Sequence, residues 1–546
     1  MDIRAETEVT IDWESPLRVS AVGVLACAWP ALLLATACLL PFLNKPFVVD
    51  DPHFLMMARQ VVMHPMHPMD FDTCFNPSGE CAKAYLVTPG NALMGYVLVP
   101  TVLTGAHEWT AHLTQIVLVW IAVLAMTSLV LRYGWDRRHA MIGALLLVAI
   151  APFMAMASTA MPDILATAVA LVAMERLAAW KAEEKWSQGA AAAIALGLAG
   201  FARVHLALLL PLGAFFLLDS ANPKEILAQI RRQYLLFAPV VAGSLLLLAI
   251  IAITREHNLA INPPPSVTGV QNIRRNLRSY LLYFVFPLPL AVCWAANRLR
   301  AGRWLIVGIV CAAAVAHWFL RVRDLAITLA VVGFCVLADL IFGALRRLDH
   351  NDLFLLLWVL IPLPIVPYFH LPMKYLLPCI PAIILLCFRL MDGFSGRVAR
   401  AAAVIFLITS TIYSVLILRS DAEFARFSRD SLYQLISPHA ARGERVWYSG
   451  AGSAFWYGPL AGAALTYPGG PQPKPGNLLV VGLPDGGGVP TLARFPHRSL
   501  VDAVTHKYRF GRTMWAGMGL YTNTIGYWLW GFGESDHDRY ELWRID

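Results

Sequence analysis

Charged side chains are scarce in this sequence, and their scarcity excludes an ordinary soluble protein. Only 14% of the 546 residues are charged, whereas 58% are hydrophobic. Soluble domains carry roughly 25% charged residues. Apolar runs of roughly 17 to 25 residues, enough to cross a hydrocarbon core about 30 Å thick, recur from Pro16 to about Leu418. The composition therefore predicts an α-helical polytopic membrane protein.

Several signals of other protein classes are also missing. The net charge of +8 comes from Lys and Arg residues spread through the loops, not from one basic patch, so we expect no nucleic-acid partner. The Gly-rich run 483-LPDGGGVP-490 lacks the Lys-Ser/Thr pair of a P-loop and is interpreted as a turn. No small-residue cleavage site follows the first apolar run, so we expect a retained span and not a removed signal peptide.

Cysteine is rare outside the apolar runs. Inside these runs a buried thiol acts as a small hydrophobic group. Only Cys74 and Cys81 lie in a polar loop, at the ends of 74-CFNPSGEC-81. Their spacing can close a small disulfide ring. The bond is expected if the loop lies outside the cytoplasm, and two free thiols are expected if it lies inside.

The apolar runs predict about thirteen transmembrane helices. With the N-terminus taken as cytoplasmic, the loops rich in Lys and Arg fall on the inner side, as the positive-inside rule expects. The odd number of spans then places the C-terminus outside. The predicted spans are 17–43, 108–131, 138–157, 160–179, 188–201, 203–218, 233–253, 278–297, 303–320, 324–345, 352–368, 372–391 and 400–418.

The composition changes at about residue 419, which predicts two domains. Residues 1–418 would form the membrane domain, with a long external loop at 44–107, and residues 419–546 a small external α/β soluble domain. Three segments of the second domain resemble strands and one a helix. The predicted strands are 445-RVWYS-449, 478-LLVVG-482 and 540-YELWRI-545, and the predicted helix is 499-SLVDAVTHKY-508.

The predicted topology gathers carboxylates, histidines and cations at the external membrane surface, where polar groups often mark function. Each of them also has a structural interpretation. The acids stand at helix starts and could be helix caps or site carboxylates. Arg203 and His205 could snorkel to the interface. The residues are Asp50, Asp51, His53, Asp163, Arg203, His205, His370, Lys374 and Tyr375.

Two further patterns concern ligands. Lys374 and Tyr375 lie between prolines that interrupt a helix, and irregular backbone at membrane depth commonly lines a cavity. A lysine there suits a phosphate. The run 63-MHPMHPMDFD-72 holds two histidines that could bind a divalent metal with Asp70 or Asp72, although its prolines favour a flexible loop.

Three motifs, taken in order along the chain, resemble the GT-C superfamily of membrane glycosyltransferases. They are 50-DDPHF-54, 162-PDIL-165 and 374-KYLLPCIP-381. The nearest similarity is to the polyprenyl-phosphate-sugar-dependent branch that includes protein O-mannosyltransferases and lipid A aminoarabinose transferase, the glycosyltransferase family 39-like proteins. The resemblance covers roughly residues 17 to 418 and implies a GT-C fold.

The resemblance also implies roles for individual residues. Asp50 matches the expected base, and Asp51 stands where the family usually has Glu. Asp163 matches a second site acid. Lys374, where many relatives have Arg, would hold the lipid-linked phosphate together with Arg203 and Tyr375. His53, His205 and His370 would line the site.

The function predicted from these residues is transfer of a sugar from a polyprenyl-phosphate donor to a lipid, glycan or protein acceptor at the outer face of the plasma membrane. An aspartate base and cations for the departing phosphate suffice for one inverting displacement. A divalent metal remains an option, and no other cofactor is implied. The alternative is a multi-span transporter or lipid flippase, which also needs charges in a cavity, but its typical repeated halves are missing from the sequence.

Overall fold

The computed structural model describes residues 17–73, 81–87, 91–254, 269–321, 324–392, 394, 396–450, 452–484 and 488–546. The first half of the chain is almost entirely helical. Its helices are α1 (Ala21–Leu39), α2 (Asp51–Met63), α3 (Ala84–Val87), α4 (Leu93–Val97), α5 (Val99–Leu103), α6 (Glu108–Arg132), α7 (Arg137–Ala149), α8 (Ala151–Ala157), α9 (Asp163–Glu183), α10 (Trp186–Ala202), α11 (Leu209–Leu217), α12 (Pro223–Arg232) and α13 (Ala238–Thr254).

The second half adds more helices and most of the strands. The helices are α14 (Val270–Tyr283), α15 (Leu290–Arg300), α16 (Trp304–Arg321), α17 (Leu325–Arg347), α18 (His350–Val359), α19 (Ile380–Met391), α20 (Gly396–Ala441), α21 (Ser453–Ala461) and α22 (Gly488–Ala493). Short 3₁₀ helices cover Leu40–Phe42, Val204–Leu208, Tyr234–Phe237, Leu363–Ile365 and Met373–Cys379.

The strands form three small sheets. They are β1 (Asp72–Thr73), β2 (Ala82–Lys83), β3 (Val446–Ser449), β4 (Ala464–Leu465), β5 (Leu478–Gly482), β6 (Arg498–Thr505), β7 (Met514–Trp515), β8 (Gly517–Gly519), β9 (Gly526–Trp528) and β10 (Arg539–Ile545). The first two strands pair with each other, the five-stranded sheet has the order β4-β3-β5-β10-β6, and β7, β8 and β9 form the third sheet.

Six of the described helical segments are long and apolar enough to cross a membrane. They are Ala21–Phe42, Glu108–Arg132, Tyr234–Thr254, Leu325–Arg347, Met373–Met391 and Gly396–Ala441, and α7 with α8 would make a seventh if this pair, bent by 64°, is one span. Helices occupy the other predicted positions too, but several are shorter. The chain is thus a helical, multi-pass membrane protein by length and composition, while the number thirteen stays a prediction.

The predicted span 278–297 is wrong as one continuous helix. Helix α14 ends at Tyr283, and α15 begins only at Leu290. Pro287 and Pro289 lie in the break. Because proline lacks a backbone N–H and its ring clashes with the preceding turn, a helix does not run through such a pair without distortion.

The C-terminal strands at 446–449, 478–482 and 539–545 confirm the predicted ones. Strand β5 is buried on both faces, as a continuous apolar run predicts. Leu478 and Val480 pack in the main core, which continues from the helices, whereas Leu479 and Val481 pack in a smaller cluster on the other side.

The helix predicted at 499–508 is wrong, because residues 498–505 form strand β6 at the edge of the five-stranded sheet. It pairs antiparallel with β10, with Arg539 opposite Thr505. Leu500 and Val501 are 46% and 41% exposed, so the apolar positions that suggested a helix face do not enter the core. Pairing with β6 satisfies the backbone N–H and C=O groups on the free side of β10, and this pairing makes residues 498–505 a strand.

Helix α20 crosses the predicted boundary between the two domains. It continues for 46 residues, from Gly396 to Ala441, and is therefore roughly 69 Å long at about 1.5 Å per residue. Its second half packs against α21 and the five-stranded sheet. The division at residue 418 stays a prediction, and α20 connects its two sides without a break.

Candidate active site

The first site element is the junction between Phe47 and helix α2. Val49 has φ of 52°, in the left-handed region that a β-branched residue rarely adopts. Neighbouring contacts hold this strained backbone: the Phe47 N–H donates to the Tyr457 hydroxyl at 2.8 Å, and the Val48 N–H donates to the Asp51 carboxylate at 3.0 Å. Strain of this kind costs about 1–3 kcal/mol and persists where the surroundings enforce it.

The two adjacent acids differ sharply in environment. Asp51 is fully buried, and its carboxylate also accepts a hydrogen bond from the Ala160 N–H at 2.7 Å. Burial raises the pKa of Asp51 to about 7 despite the nearby Lys45 ammonium. The carboxylate thereby ties the first loop to the loop that precedes α9.

Asp50 occupies the N-cap position of α2, but its side chain makes no capping hydrogen bond. Its carboxylate is 30% exposed and lies 2.8 Å from the Lys374 ammonium, which is only 3% exposed. Burial by itself would raise the pKa of Asp50, but the Lys374 ammonium outweighs it and holds this pKa below its usual value of 3.8. Asp50 is therefore an ionised, accessible carboxylate at neutral pH, and the helix-cap interpretation of its side chain is wrong.

A second buried ion pair joins Asp163, at the start of α9, to Arg203, which follows α10. The Arg203 guanidinium also lies over the Tyr375 ring, 4.4 Å from its centroid. Within the described residues, Nε of Arg203 and Oδ2 of Asp163 have no hydrogen-bond partner. Arg203 is 5% exposed, so the snorkelling interpretation is wrong.

Lys374 and Tyr375 connect the two ion pairs. Both belong to the 3₁₀ helix that precedes α19, and both are buried. Nζ of Lys374 lies 3.6 Å from the sulfur of Met161, two residues before Asp163. The structure thus brings two carboxylates and two cations from four distant segments to one place.

The histidines predicted to line the site lie around this cluster and are buried or half-buried. His370 contacts the Tyr375 hydroxyl at 2.9 Å and the Thr522 hydroxyl at 3.1 Å. Burial, together with the Lys374 ammonium, lowers the pKa of His370 to about 3, so it is neutral at physiological pH. The ring of His205 lies 6.2 Å from that of Tyr375.

His53 lies on the other side, in the first turn of α2. It packs against Phe71, with 5.3 Å between ring centroids, and contacts the Thr73 hydroxyl at 3.4 Å. Burial lowers the pKa of His53 to about 4, although Asp50 opposes this shift. His53 is therefore a neutral side chain close to Asp50.

One central group of residues was missed by the sequence reasoning. Lys45, directly after the first span, is fully buried and forms an ion pair with Asp421 in α20. Asp421 also accepts hydrogen bonds from the hydroxyls of Tyr521, at 2.6 Å, and Thr513, at 3.2 Å. The sequence did contain a signal for this pair, because Asp421 directly follows the apolar run at 400–418 and an acid near a span often marks function. The predicted boundary at residue 418 places Asp421 in the soluble domain, where an acid is common.

The remaining predicted ligands lie in the loop between α2 and α4. Asp70 and Asp72 pair with Lys83 at 3.1 and 3.4 Å, so these acids face a lysine. Among the residues that the structure describes, no three His, Cys, Asp or Glu side chains are grouped to hold a metal, and His64 and His67 belong to no such group.

The structure describes only one of the two cysteines of the predicted disulfide. Cys81 is disulfide-bonded. Cys74, its predicted partner, lies outside the described residues. The pairing of Cys74 with Cys81 therefore stays a prediction.

No protein-family model matches the sequence, and no curated protein matches it either. Solved structures do. One is the Archaeoglobus fulgidus oligosaccharyltransferase tethered with an acceptor peptide, at 12% identity and TM-score 0.42, covering 82% of this chain and 64% of that one. A second is ArnT from Cupriavidus metallidurans bound to undecaprenyl phosphate, at 14% identity and TM-score 0.45, covering 90% of this chain and 97% of that one. A third is the arabinosyltransferase EmbB from Mycobacterium smegmatis, at 16% identity and TM-score 0.36, covering 76% of this chain and 41% of that one.

The chain spans less than two thirds of the length of the oligosaccharyltransferase.

Proposed function

We propose that this chain is a glycosyltransferase that moves a sugar from a polyprenyl-phosphate donor to a hydroxyl or amine acceptor at the outer face of the plasma membrane. The observation that carries the proposal is the ion pair between a partly exposed carboxylate, Asp50, and a buried ammonium, Lys374, at the membrane domain's polar cluster. A base and a phosphate-binding cation at one place are what displacement of a lipid-linked phosphate requires.

In this mechanism Asp50 takes the proton of the attacking acceptor. Its depressed pKa keeps it ionised, and its exposure lets a substrate reach it. Asp51 is unsuited to the role of base, because both of its oxygens accept buried backbone N–H groups. We assign Asp51 to holding the loop in shape, with Asp50 as the base.

Lys374 and Arg203 bind the phosphate of the donor. Among the residues that the structure describes, Nε of Arg203 has no acceptor, and the Lys374 ammonium is paired with the Asp50 carboxylate. When the phosphate arrives, it competes with Asp50 for the Lys374 ammonium. Loss of this partner raises the pKa of Asp50 and makes it a stronger base once the donor is present.

The displacement breaks the bond between the anomeric carbon and the phosphate oxygen and forms a bond from the same carbon to the acceptor oxygen or nitrogen. The acceptor proton passes to Asp50, and the polyprenyl phosphate leaves with the bonding electron pair. A single displacement inverts the anomeric carbon. A lipid-borne donor also accounts for a site between span ends, since its tail stays in the bilayer.

The test is transfer of radiolabelled sugar from a panel of polyprenyl-phosphate sugars to endogenous acceptors in membranes that contain the wild type or Asp50→Asn. We expect Asp50→Asn to lower transfer by about 10² to 10⁴, the usual contribution of a general base. Asp70→Asn is the matched control, because Asp70 lies in the same loop, is 53% exposed and pairs with Lys83.

Unchanged transfer by Asp50→Asn would remove Asp50 from the role of base. If the wild type transfers sugar from none of the donors, the proposed function is wrong and a transporter or lipid flippase is favoured. Equal protein levels of the three variants in the membrane are required for the comparison.

A further inference from the structure

The loop between β8 and β9 places three consecutive side chains of the C-terminal region against the phosphate-binding residues. The segment Tyr521–Asn523 forms the loop's contact with the membrane domain, and we call it the 521–523 turn. Tyr521 and Asn523 are 1% and 2% exposed, so this contact is a packed one.

Tyr521 reaches Lys374. The centroid of its ring lies 5.8 Å from Nζ of Lys374, within the range of a cation–π contact. Its hydroxyl donates to Asp421, the partner of Lys45, so the ring cannot turn away without breaking that hydrogen bond. Tyr521 therefore supplies an aromatic wall beside the ammonium that faces Asp50.

Thr522 reaches Tyr375 through His370. The Thr522 hydroxyl contacts Nδ1 of His370 at 3.1 Å, and Nε2 of the same ring contacts the Tyr375 hydroxyl at 2.9 Å. In a neutral imidazole one ring nitrogen donates and the other accepts, so the partner at Nδ1 influences what Nε2 offers to Tyr375. Tyr375 in turn lies beneath the Arg203 guanidinium.

Asn523 fixes the segment that carries His370. Its amide nitrogen donates to Asn276 at 2.9 Å and to Ser279 at 2.7 Å, both in α14. Its amide oxygen accepts from the Leu371 N–H at 3.0 Å, next to His370. Loss of a buried side chain with three such partners would leave polar groups unsatisfied on both sides.

From these contacts we infer that the 521–523 turn is a positioning element of the donor-phosphate site, so that the C-terminal region helps to bind the lipid-linked phosphate without touching the reacting atoms. The inference rests on the proposed function. Each residue of the turn positions a different part of the site, with Tyr521 beside Lys374, Thr522 at the His370–Tyr375 pair, and Asn523 at the backbone of Leu371.

Thr522→Val provides the sharpest test, because valine keeps the shape of threonine and removes only the hydroxyl. Undecaprenyl phosphate binding to the purified full chain in detergent is measured together with KM for the donor, kcat and Tm. We expect Kd and donor KM to rise about 3- to 10-fold, as for loss of one net hydrogen bond, with a smaller change in kcat. Thr522→Ser, which keeps the hydroxyl, should restore both values.

Thr505→Val is the matched control, since Thr505 is an exposed threonine of β6 in the same region. It should leave Kd, KM and Tm unchanged. Equal Tm of Thr522→Val and the wild type separates a positioning effect from general destabilisation. Asn523→Ala should raise Kd as well, but it is also expected to lower Tm because it opens a buried contact.

Lys374→Ala distinguishes this inference from the proposed function. If Lys374→Ala loses undecaprenyl phosphate binding while Thr522→Val binds as the wild type does, the donor site stands and the role of the turn is wrong. If Lys374→Ala binds normally, the donor site itself is wrong and the inference falls with it. A rise in Kd for Thr522→Val that Thr522→Ser fails to reverse would also contradict the role of the hydroxyl.

Discussion

At the residue scale, Asp50 and Asp51 are adjacent in sequence but experience opposite environments. Asp50 is partly exposed and faces an ammonium, whereas Asp51 is enclosed and accepts two backbone N–H groups. The positive φ of Val49 turns the chain directly before them. This local geometry assigns the accessible charge to one acid and the structural hydrogen bonds to the other.

A first prediction concerns Asp51→Asn. The asparagine amide replaces one of the two accepting oxygens with an NH2 donor, so one of the two backbone N–H groups loses its acceptor and about 1–3 kcal/mol of folding stability should be lost. The folded-state pKa of Asp51 is raised to about 7, so its stabilisation is fully present below the unfolded value of 3.8 and is lost as pH rises through about 7. The Tm difference between wild type and Asp51→Asn should therefore narrow from about pH 5 to pH 8.

Thermal unfolding in detergent across this pH range measures the effect. A Tm difference that widens as pH rises would contradict the burial of an acid with a raised pKa. Asp70→Asn serves again as the exposed control and should show no change of this kind.

A second prediction concerns the pH dependence of transfer in Lys374→Met. The Lys374 ammonium holds the pKa of Asp50 below 3.8, and its removal leaves burial as the largest influence, which raises that pKa. The acidic limb of the pH–kcat/KM profile, which reports the ionisation of the free enzyme, should therefore move to higher pH in the variant. An unmoved limb would mean that Asp50 is not the group whose ionisation limits the rate.

At the scale of elements, helix α20 and the end of α1 are joined by the fully buried pair of Lys45 and Asp421. Lys45 also donates to the Ser158 carbonyl at 3.0 Å, which adds the turn after α8 to the same junction. A buried charge that loses its partner costs several kcal/mol, whereas removal of both charges costs much less. Correct packing of the end of α1, the turn after α8 and helix α20 therefore depends on the ion pair between Lys45 and Asp421.

A third prediction follows for this pair. Lys45→Met should destabilise the protein by about 3–5 kcal/mol, because Asp421 would remain buried without its cation. Lys45→Met combined with Asp421→Asn should be more stable than Lys45→Met alone. A double-mutant cycle on Tm and detergent-solubilised yield measures the coupling, and additive effects would contradict it.

A fourth prediction concerns the contact between α14 and α17. A Cβ at Gly333 would overlap the backbone carbonyl of Leu281, which cannot move as a side-chain end could. Gly333→Ala should therefore separate the two helices and cost about 1–3 kcal/mol. Gly308→Ala in α16 is the control, since a Cβ there meets nothing within 4 Å. Equal Tm values of the two variants would contradict the close approach.

At the scale of the whole molecule, the candidate site combines residues of the first loop, the start of α9, the end of α10 and the 3₁₀ helix before α19, and the C-terminal region contacts them through Tyr521 and Thr522. The main cluster of buried apolar side chains is likewise continuous, from Cys27 in α1 to Leu542 in β10. We therefore expect the C-terminal region to lie on the same side of the membrane as Asp50.

A fifth prediction tests the sidedness. In intact cells, Lys474→Cys should react with a membrane-impermeant maleimide, whereas Lys224→Cys, in the amphipathic helix α12, should react only after lysis. Both lysines are exposed, so access to the reagent is limited by the membrane and not by burial. The unsubstituted protein reports the background from native cysteines. Reaction of Lys224→Cys before lysis would reverse the proposed topology.

The sequence was most informative where one segment carries its own signal. The six described segments that are long and apolar enough to cross a membrane all overlap predicted spans, and the apolar strand at 478–482 was predicted with its observed ends. The sequence was misleading where contacts with other segments determine the secondary structure. The segment 498–505 has apolar residues that suit a helix, yet pairing with β10 makes it a strand.

The candidate site was predictable as a set of residues but not as a set of pairs. Asp50, Asp163, Arg203 and Lys374 were expected on one side of the membrane, and the structure does bring them together. Their pairing, the burial of Asp51 and the turn at Tyr521 were not predictable, because each depends on contacts between distant segments.

By itself, the sequence determined a multi-pass helical protein with acids and cations at span ends, since hydropathy and residue order act locally. The tertiary structure alone decided which acid is accessible and which cation it faces. The ion pair of Asp50 with Lys374 spans 324 positions, and that of Lys45 with Asp421 spans 376. Over such separations no periodicity specifies a contact, and only the packing of the helices brings the partners together.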